Sequence, residues 1–140
     1  MRLETFFDPR VSEWVSERLG YKRGFGNCHA LGVLRGESLI AGVVYHDWSP
    51  ENETVQLSAA ADDRRWLSRQ VVRDVLGYPF SFAQTSFIQT DMENPARAIF
   101  RKLGATEHVI PRLLGRTKDG VICALTDDAW KASKYGKANG

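Results

Sequence analysis

From Cys28 to Ala60 the chain runs through three β-rich stretches in succession, and this constrains its fold more than any other feature. Cys28–Leu34 and Leu39–His46 flank Arg35-Gly36-Glu37-Ser38, a hairpin signal, and a polar loop from Trp48 to Glu53 leads to Thr54–Ala60. In the third stretch Val55, Leu57 and Ala59 alternate with Thr54, Gln56 and Ser58, the period of a strand with one buried face. The pattern predicts an antiparallel three-stranded meander.

Helical periodicity surrounds it. Asp8-Pro9 followed by Val11, Trp14, Val15 and Leu19 predicts a helix that Asp8 caps and Gly20 ends. After Asp62-Asp63, the recurrence of Leu67, Val71 and Val75 predicts a second helix, starting at Arg64 and closed by Gly77 and Pro79. A short strand near 86–90 follows. Asn94-Pro95 then opens a helix with Ala98, Ile99 and Leu103 inward and Gly104 at its end. Strands near 108–114 and 121–125, joined by Lys118-Asp119-Gly120, precede a last helix around Trp130 that Asp127-Asp128 would cap. The order α-β-β-β-α-β-α-β-β implies one α/β (α+β) domain with a mixed, mostly antiparallel central sheet flanked by helices. At 140 residues the chain suits a single domain, expected over 1–133, with a frayed tail at 134–140.

Several function classes fall away. No apolar run reaches the ~18–20 residues of a membrane span, and Met1–Asp8 does not read as a signal peptide. Cys28 and Cys123 form neither a disulfide framework nor a zinc-site spacing, so the expected setting is reduced and cytoplasmic, with no metal. The net charge of +2 hides a division. Residues 1–63 carry 6 basic and 10 acidic side chains, and residues 64–118 carry 10 basic and 4 acidic. Of the 19 basic residues 13 are Arg, the side chain suited to bidentate phosphate contact. The basic middle therefore suggests an anionic ligand, or a solvated basic face.

Read with the stretch Asn94-Pro95-Ala96-Arg97-Ala98-Ile99-Phe100-Arg101-Lys102-Leu103-Gly104-Ala105, the element order resembles the GCN5-related N-acetyltransferase superfamily. The Ala-Ile-Phe-Arg-Lys-Leu-Gly core matches the family's fourth helix, with Ala105 in place of the usual aromatic residue. The resemblance implies acetyl-CoA as co-substrate, held in a split between two parallel strands, its pyrophosphate on backbone N–H groups at the start of the third helix. A helix start offers unpaired donors and partial positive charge to such an anion. The matching stretch is Arg64-Arg65-Trp66-Leu67-Ser68-Arg69, where Leu67 and Arg69 replace the family's small residues. Arg64, Arg65, Ser68 and Arg69 would then bind phosphate by side chain. The same resemblance makes Asn94, Phe100 and Arg101 candidate cofactor contacts. Phe100 stands where the family carries the Tyr that protonates the departing thiolate.

Tyr45, His46 and Ser58 are the candidate acids, bases or polar groups near the reacting centre. Tyr45 and His46 are adjacent on one strand and point to opposite faces, so only one reaches a given cleft. The plain reading of His46 is an exposed strand-end histidine, of Ser58 a polar-face serine, and of Asn94 a helix cap. Arg97, Arg101, Lys102, Arg112, Arg116 and Lys118 form a later basic cluster, suited to the 3′-phosphate of CoA or to nucleic acid. The expected activity is acyl transfer from acetyl-CoA to an amine on a small molecule or protein. The alternatives are adenine modification of DNA, of the Mom type found in phage-like members, and a silent CoA- or partner-binding module. The acceptor is open, its site expected from 21–27, 48–53 and 112–118. A homodimer through the edge of the apolar final strand is a further expectation.

Overall fold

A computed structural model describes residues 2–137, and the meander stands in it as β2 (Cys28–Arg35), β3 (Ser38–Ser49) and β4 (Thr54–Ala61). Arg35 faces Ser38 across a two-residue turn, and all three strands run antiparallel. The order of elements is β1 (Leu3–Phe7), α1 (Arg10–Leu19), the meander, α2 (Arg69–Gly77), β5 (Thr85–Thr90), α3 (Pro95–Lys102), β6 (Thr106–Ile110), β7 (Gly120–Thr126), α4 (Asp127–Ala132) and α5 (Lys134–Lys137). The seven strands form one sheet in the order β1-β2-β3-β4-β5-β7-β6, in which only β4 and β5 are parallel.

Three expectations change. A first strand precedes α1, pairing Leu3–Phe7 with Arg35–Leu31. It is short and ends just before Pro9, so its sequence carries little period, and the β2 edge supplies the order. The final strand β7 lies between β5 and β6, which leaves β1 and β6 as the edges and removes the edge through which a dimer was expected. The short helix α5 occupies the start of the tail expected at 134–140, with Tyr135 packed on the core; residues 138–140 lie outside the described residues. Among the described residues no helix is long and apolar enough to cross a membrane.

Each face of the sheet carries its own apolar layer. On one, Val11 and Val15 of α1 meet Ala30 and Val44. Gly42 makes that approach possible, since a Cβ there would stand 2.6 Å from Val11 and 2.7 Å from Val15. On the other, Val71, Val72, Val75 and Leu76 of α2 join Phe100 and Leu103 over Leu31, Val43, Tyr45 and Leu57. The helices begin where short polar side chains satisfy their first N–H groups. Ser68 accepts from Val71, Asn94 from Ala96, and Thr126, in place of the expected Asp127-Asp128, from Ala129.

Candidate active site

The parallel pairing of β4 with β5 lasts for only three residue pairs, Thr54–Thr85, Val55–Ser86 and Gln56–Phe87. Beyond them β4 stays with β3 as far as Ala61, and β5 stays with β7 as far as Thr90. The two strands therefore part, and a cleft of about 660 Å³ opens between them. Leu57–Ala61 of β4 and Ile88–Thr90 of β5 line it, together with Trp66 and Leu67 from the loop before α2, Asn94–Ala96 at the start of α3, and Leu19 and Tyr21 at the end of α1.

Ser58 lies on this wall, and behind it stands His46. The imidazole Nε2 is 2.8 Å from Ser58 Oγ, and Nδ1 is 2.8 Å from Asp47 Oδ2. An ionised carboxylate only accepts hydrogen bonds. In the neutral imidazole Nδ1 thus donates to Asp47, and Nε2 accepts the Ser58 hydroxyl. His46 is 7% exposed, which corrects the reading of it as an exposed strand-end residue. The ring of Phe25, from the linker after α1, covers it at 4.8 Å between centroids, and Tyr21 meets Phe25 edge-on. Asp47 has a left-handed backbone (φ 54°), unusual for a residue with a Cβ, where the β3–β4 register breaks. That turn lets an aspartate bond the imidazole of its own neighbour, although adjacent strand residues normally face apart.

Tyr45 takes the other face. Its hydroxyl donates to the Val75 carbonyl at 2.6 Å, and burial raises its pKa well above the ordinary phenol value. It packs against α2 and does not line the cleft, so of the three candidates only His46 and Ser58 come together there.

The stretch from Arg64 to Ser68 is a loop and not the first turns of a helix; α2 begins at Arg69. Asp63 is the reason. Its carboxylate accepts from the Arg65 backbone N–H and pairs with Arg35, holding the chain in a turn until Ser68 caps the helix. The Arg65 bond and then the Arg35 guanidinium hold the Asp63 pKa at about 2. Arg64 is exposed at the cleft, while Arg65 turns back to Asp63. Leu67 lines the cleft and rests on the core, and the Arg69 guanidinium lies 5.7 Å over the Tyr135 ring. The two bulky residues in the small-residue positions are thus drawn towards the core and α5. Asn94 caps α3 and also lines the cleft. Phe100 is 4% exposed within the core and not on the cleft wall, which corrects its reading as a cofactor contact.

Three of the six residues of the later basic cluster are paired with carboxylates. Arg97 and Arg101 both bind Glu107, at 2.7 and 2.8 Å, and Lys118 is 3.6 Å from Asp91. Arg101 is thereby turned to β6 and is not on the cleft wall. The Arg97 hydrogen bond, then that of Arg101, lowers the Glu107 pKa from 4.5 to about 2. Burial, and then Glu107 beside it, raises the Cys123 thiol to about 11, unsuited to a nucleophile. A carboxyl depressed in the fold stabilises it fully above the unfolded value, and this is lost as pH falls through the folded one. The melting-temperature gap between wild type and Glu107→Gln should therefore be constant above about pH 5 and close between pH 4.5 and 2. Thermal melts across that range measure it.

The fold of the chain is similar to that of acetyltransferases of known structure. One is a mutant form of the spermidine/spermine N-acetyltransferase SpeG from Vibrio cholerae (TM-score 0.70, 12% identity, 92% of this chain and 97% of that one). Another is spermidine N-acetyltransferase from the same organism in complex with CoA and spermine (TM-score 0.63, 14% identity, 84% of this chain and 75% of that one). The fold is that of the GCN5-related N-acetyltransferases. No family model and no curated protein sequence matches the chain. Asp47 as the partner of His46 and Leu19 as a cleft wall were not foreseen, whereas Tyr21 belongs to the 21–27 stretch expected at the acceptor site. The His-Asp adjacency was visible; the left-handed turn that makes it productive was not.

Proposed function

We propose that the chain is an acyl-CoA-dependent N-acyltransferase, moving an acetyl or related acyl group to an amine. The observation that carries this is the early end of the β4–β5 pairing. It leaves two strand edges facing a cleft of about 660 Å³, the setting in which a thioester could lie along the strands. Arg64 lines this cleft, and α2 starts just beyond the adjoining loop, where its first N–H groups carry the partial positive charge that suits a phosphate. Ser58 stands on the wall with His46 behind it, and this is where the acyl carbon would lie. A structural neighbour was solved with CoA and spermine, which supports acyl-CoA and an amine as the two substrates at this coarse level. The Tyr21–Phe25 linker, beside His46, is the expected entry for the amine.

The test is a thermal-shift titration with acetyl-CoA, CoA and 3′-dephospho-CoA. A ligand at about 100 times its dissociation constant stabilises the folded state by ~2.7 kcal/mol, a rise of roughly 10 °C here. Arg64→Ala should weaken CoA binding about tenfold through loss of one charge-assisted hydrogen bond. Arg69→Ala should matter less, because its guanidinium already leans on Tyr135. No shift at millimolar ligand would reject the reading.

A further inference from the structure

We propose that Ser58 is a nucleophile that carries the acyl group between acyl-CoA and the amine, with His46 moving its proton and Asp47 holding the imidazole. This rests on the acyltransferase reading above and goes beyond it. Direct attack by an amine on the thioester needs no hydroxyl on the wall and no carboxylate behind the histidine. Here a serine on the cleft, a buried imidazole and a carboxylate follow one another at 2.8 Å each. Nucleophile, base and orienting group in that sequence are the requirement for activating a hydroxyl. The backbone adds a second, independent observation. Asp47 adopts φ 54°, and this turn points its carboxylate at Nδ1. A non-glycine residue in that region costs energy and persists where the surroundings demand it. A histidine that merely filled the sheet face would need only one partner and no such turn.

The chemistry closes without any further reagent. Ser58 Oγ attacks the acyl carbon of the thioester as its proton passes to His46 Nε2. The Oγ–C bond forms and the C–S bond breaks. The leaving thiolate takes the proton from the His46 imidazolium and departs as free CoA thiol. That return of the proton supplies the acid that Phe100 cannot provide. The amine then attacks the serine ester; its nitrogen bonds to the acyl carbon as the C–Oγ bond breaks. Its surplus proton returns through Nε2 to Ser58 Oγ. Serine, histidine and aspartate end as they began. Asp47 touches no reacting atom and is a positioning residue.

The experiment uses the whole chain and acetyl-CoA, with no amine present. After acid quench, intact mass and peptide mapping should place one acetyl group on Ser58. The label should be lost in mild base, as an ester is and a lysine amide is not. Ser58→Ala should abolish it while the acetyl-CoA thermal shift survives, and Ser58→Cys should restore a covalent acetyl group as a thioester. His46→Gln should slow labelling by about 10²-fold or more, with Ser58 still present. A wild-type protein that binds acetyl-CoA yet never acquires a base-labile acetyl group on Ser58, even on rapid quench, overturns the proposal and leaves direct transfer in place. Labelling that proceeds equally in His46→Gln also overturns it. A protein that does not bind acetyl-CoA at all refutes instead the acyltransferase reading on which this rests.

Discussion

His46→Gln is expected to lower acyl transfer from acetyl-CoA by about 10²–10⁴-fold, the usual contribution of a positioned acid-base group, while the protein stays folded. Glutamine is close in length, and its amide oxygen can still accept the Ser58 hydroxyl. It cannot take up the proton. The loss should therefore fall on kcat, with the KM for acetyl-CoA little changed, because His46 lies behind the wall and is not itself part of it. CoA release with a panel of primary amines measures the rate, and the thermal shift confirms that the cofactor site is intact. Asp47→Asn is the sharper companion. Asparagine tolerates the same left-handed backbone as aspartate, so the turn is kept. Its amide can present a donor to Nδ1, which would put the proton on Nε2 and remove the acceptor that Ser58 needs. Asp47 is largely exposed, so a smaller fall of about 10–10²-fold in kcat is expected. An unchanged kcat in both variants would reduce the His46 cluster to a structural feature.

The legible parts of this fold were those governed by local pattern. The meander announced itself through the alternation at Thr54–Ala60, and α3 through Asn94-Pro95 at one end and Gly104 at the other. Elements ordered by distant partners were harder to read. β1 is a strand because the β2 edge is there to receive it. β7 enters the middle of the sheet because β6 continues outward from it, and no local property of either segment encodes that choice. The start of α2 was misplaced for a different reason. The apolar recurrence from Leu67 to Val75 continues a helical period backwards past Ser68, but Asp63 binds Arg35 from a remote strand and holds 64–67 as a loop. The candidate site shows the same division. Adjacency named Tyr45 and His46 and required them to face apart, and the structure decides between them: one hydroxyl buried against Val75, one imidazole behind Ser58. The pairing of Arg97 and Arg101 with Glu107 lies beyond any single-sequence pattern, so the basic cluster looked freer as a string than it is in the fold.

Leu125→Ala should cost about 2–5 kcal/mol of stability. Leu125 is fully buried on β7 and faces Ser86 of β5, on the side of the sheet where β4 and β5 are still paired. The deletion therefore opens a cavity in the closed part of the fold and spares the split. Its size tends towards the upper half of that range, because the neighbours are held by strands on both sides and collapse poorly. Ser86 works in the opposite direction: its hydroxyl has no partner among the described residues, so a water admitted to the new space would find one polar neighbour. One neighbour is fewer than the two to four that an ordered water needs, and the cavity should stay mostly dry. Denaturant melts should then show a lower midpoint with an unchanged slope, and a melting temperature reduced by roughly 15 °C. At low temperature the folded fraction should still bind acetyl-CoA and turn over at the wild-type rate per folded molecule. This is the inverse of His46→Gln, which should keep the midpoint and lose the rate. If Leu125→Ala lost turnover in proportion to nothing but its stability, and His46→Gln lost it at full stability, the chemistry would be assigned to the open end of the split and the scaffold to its closed end.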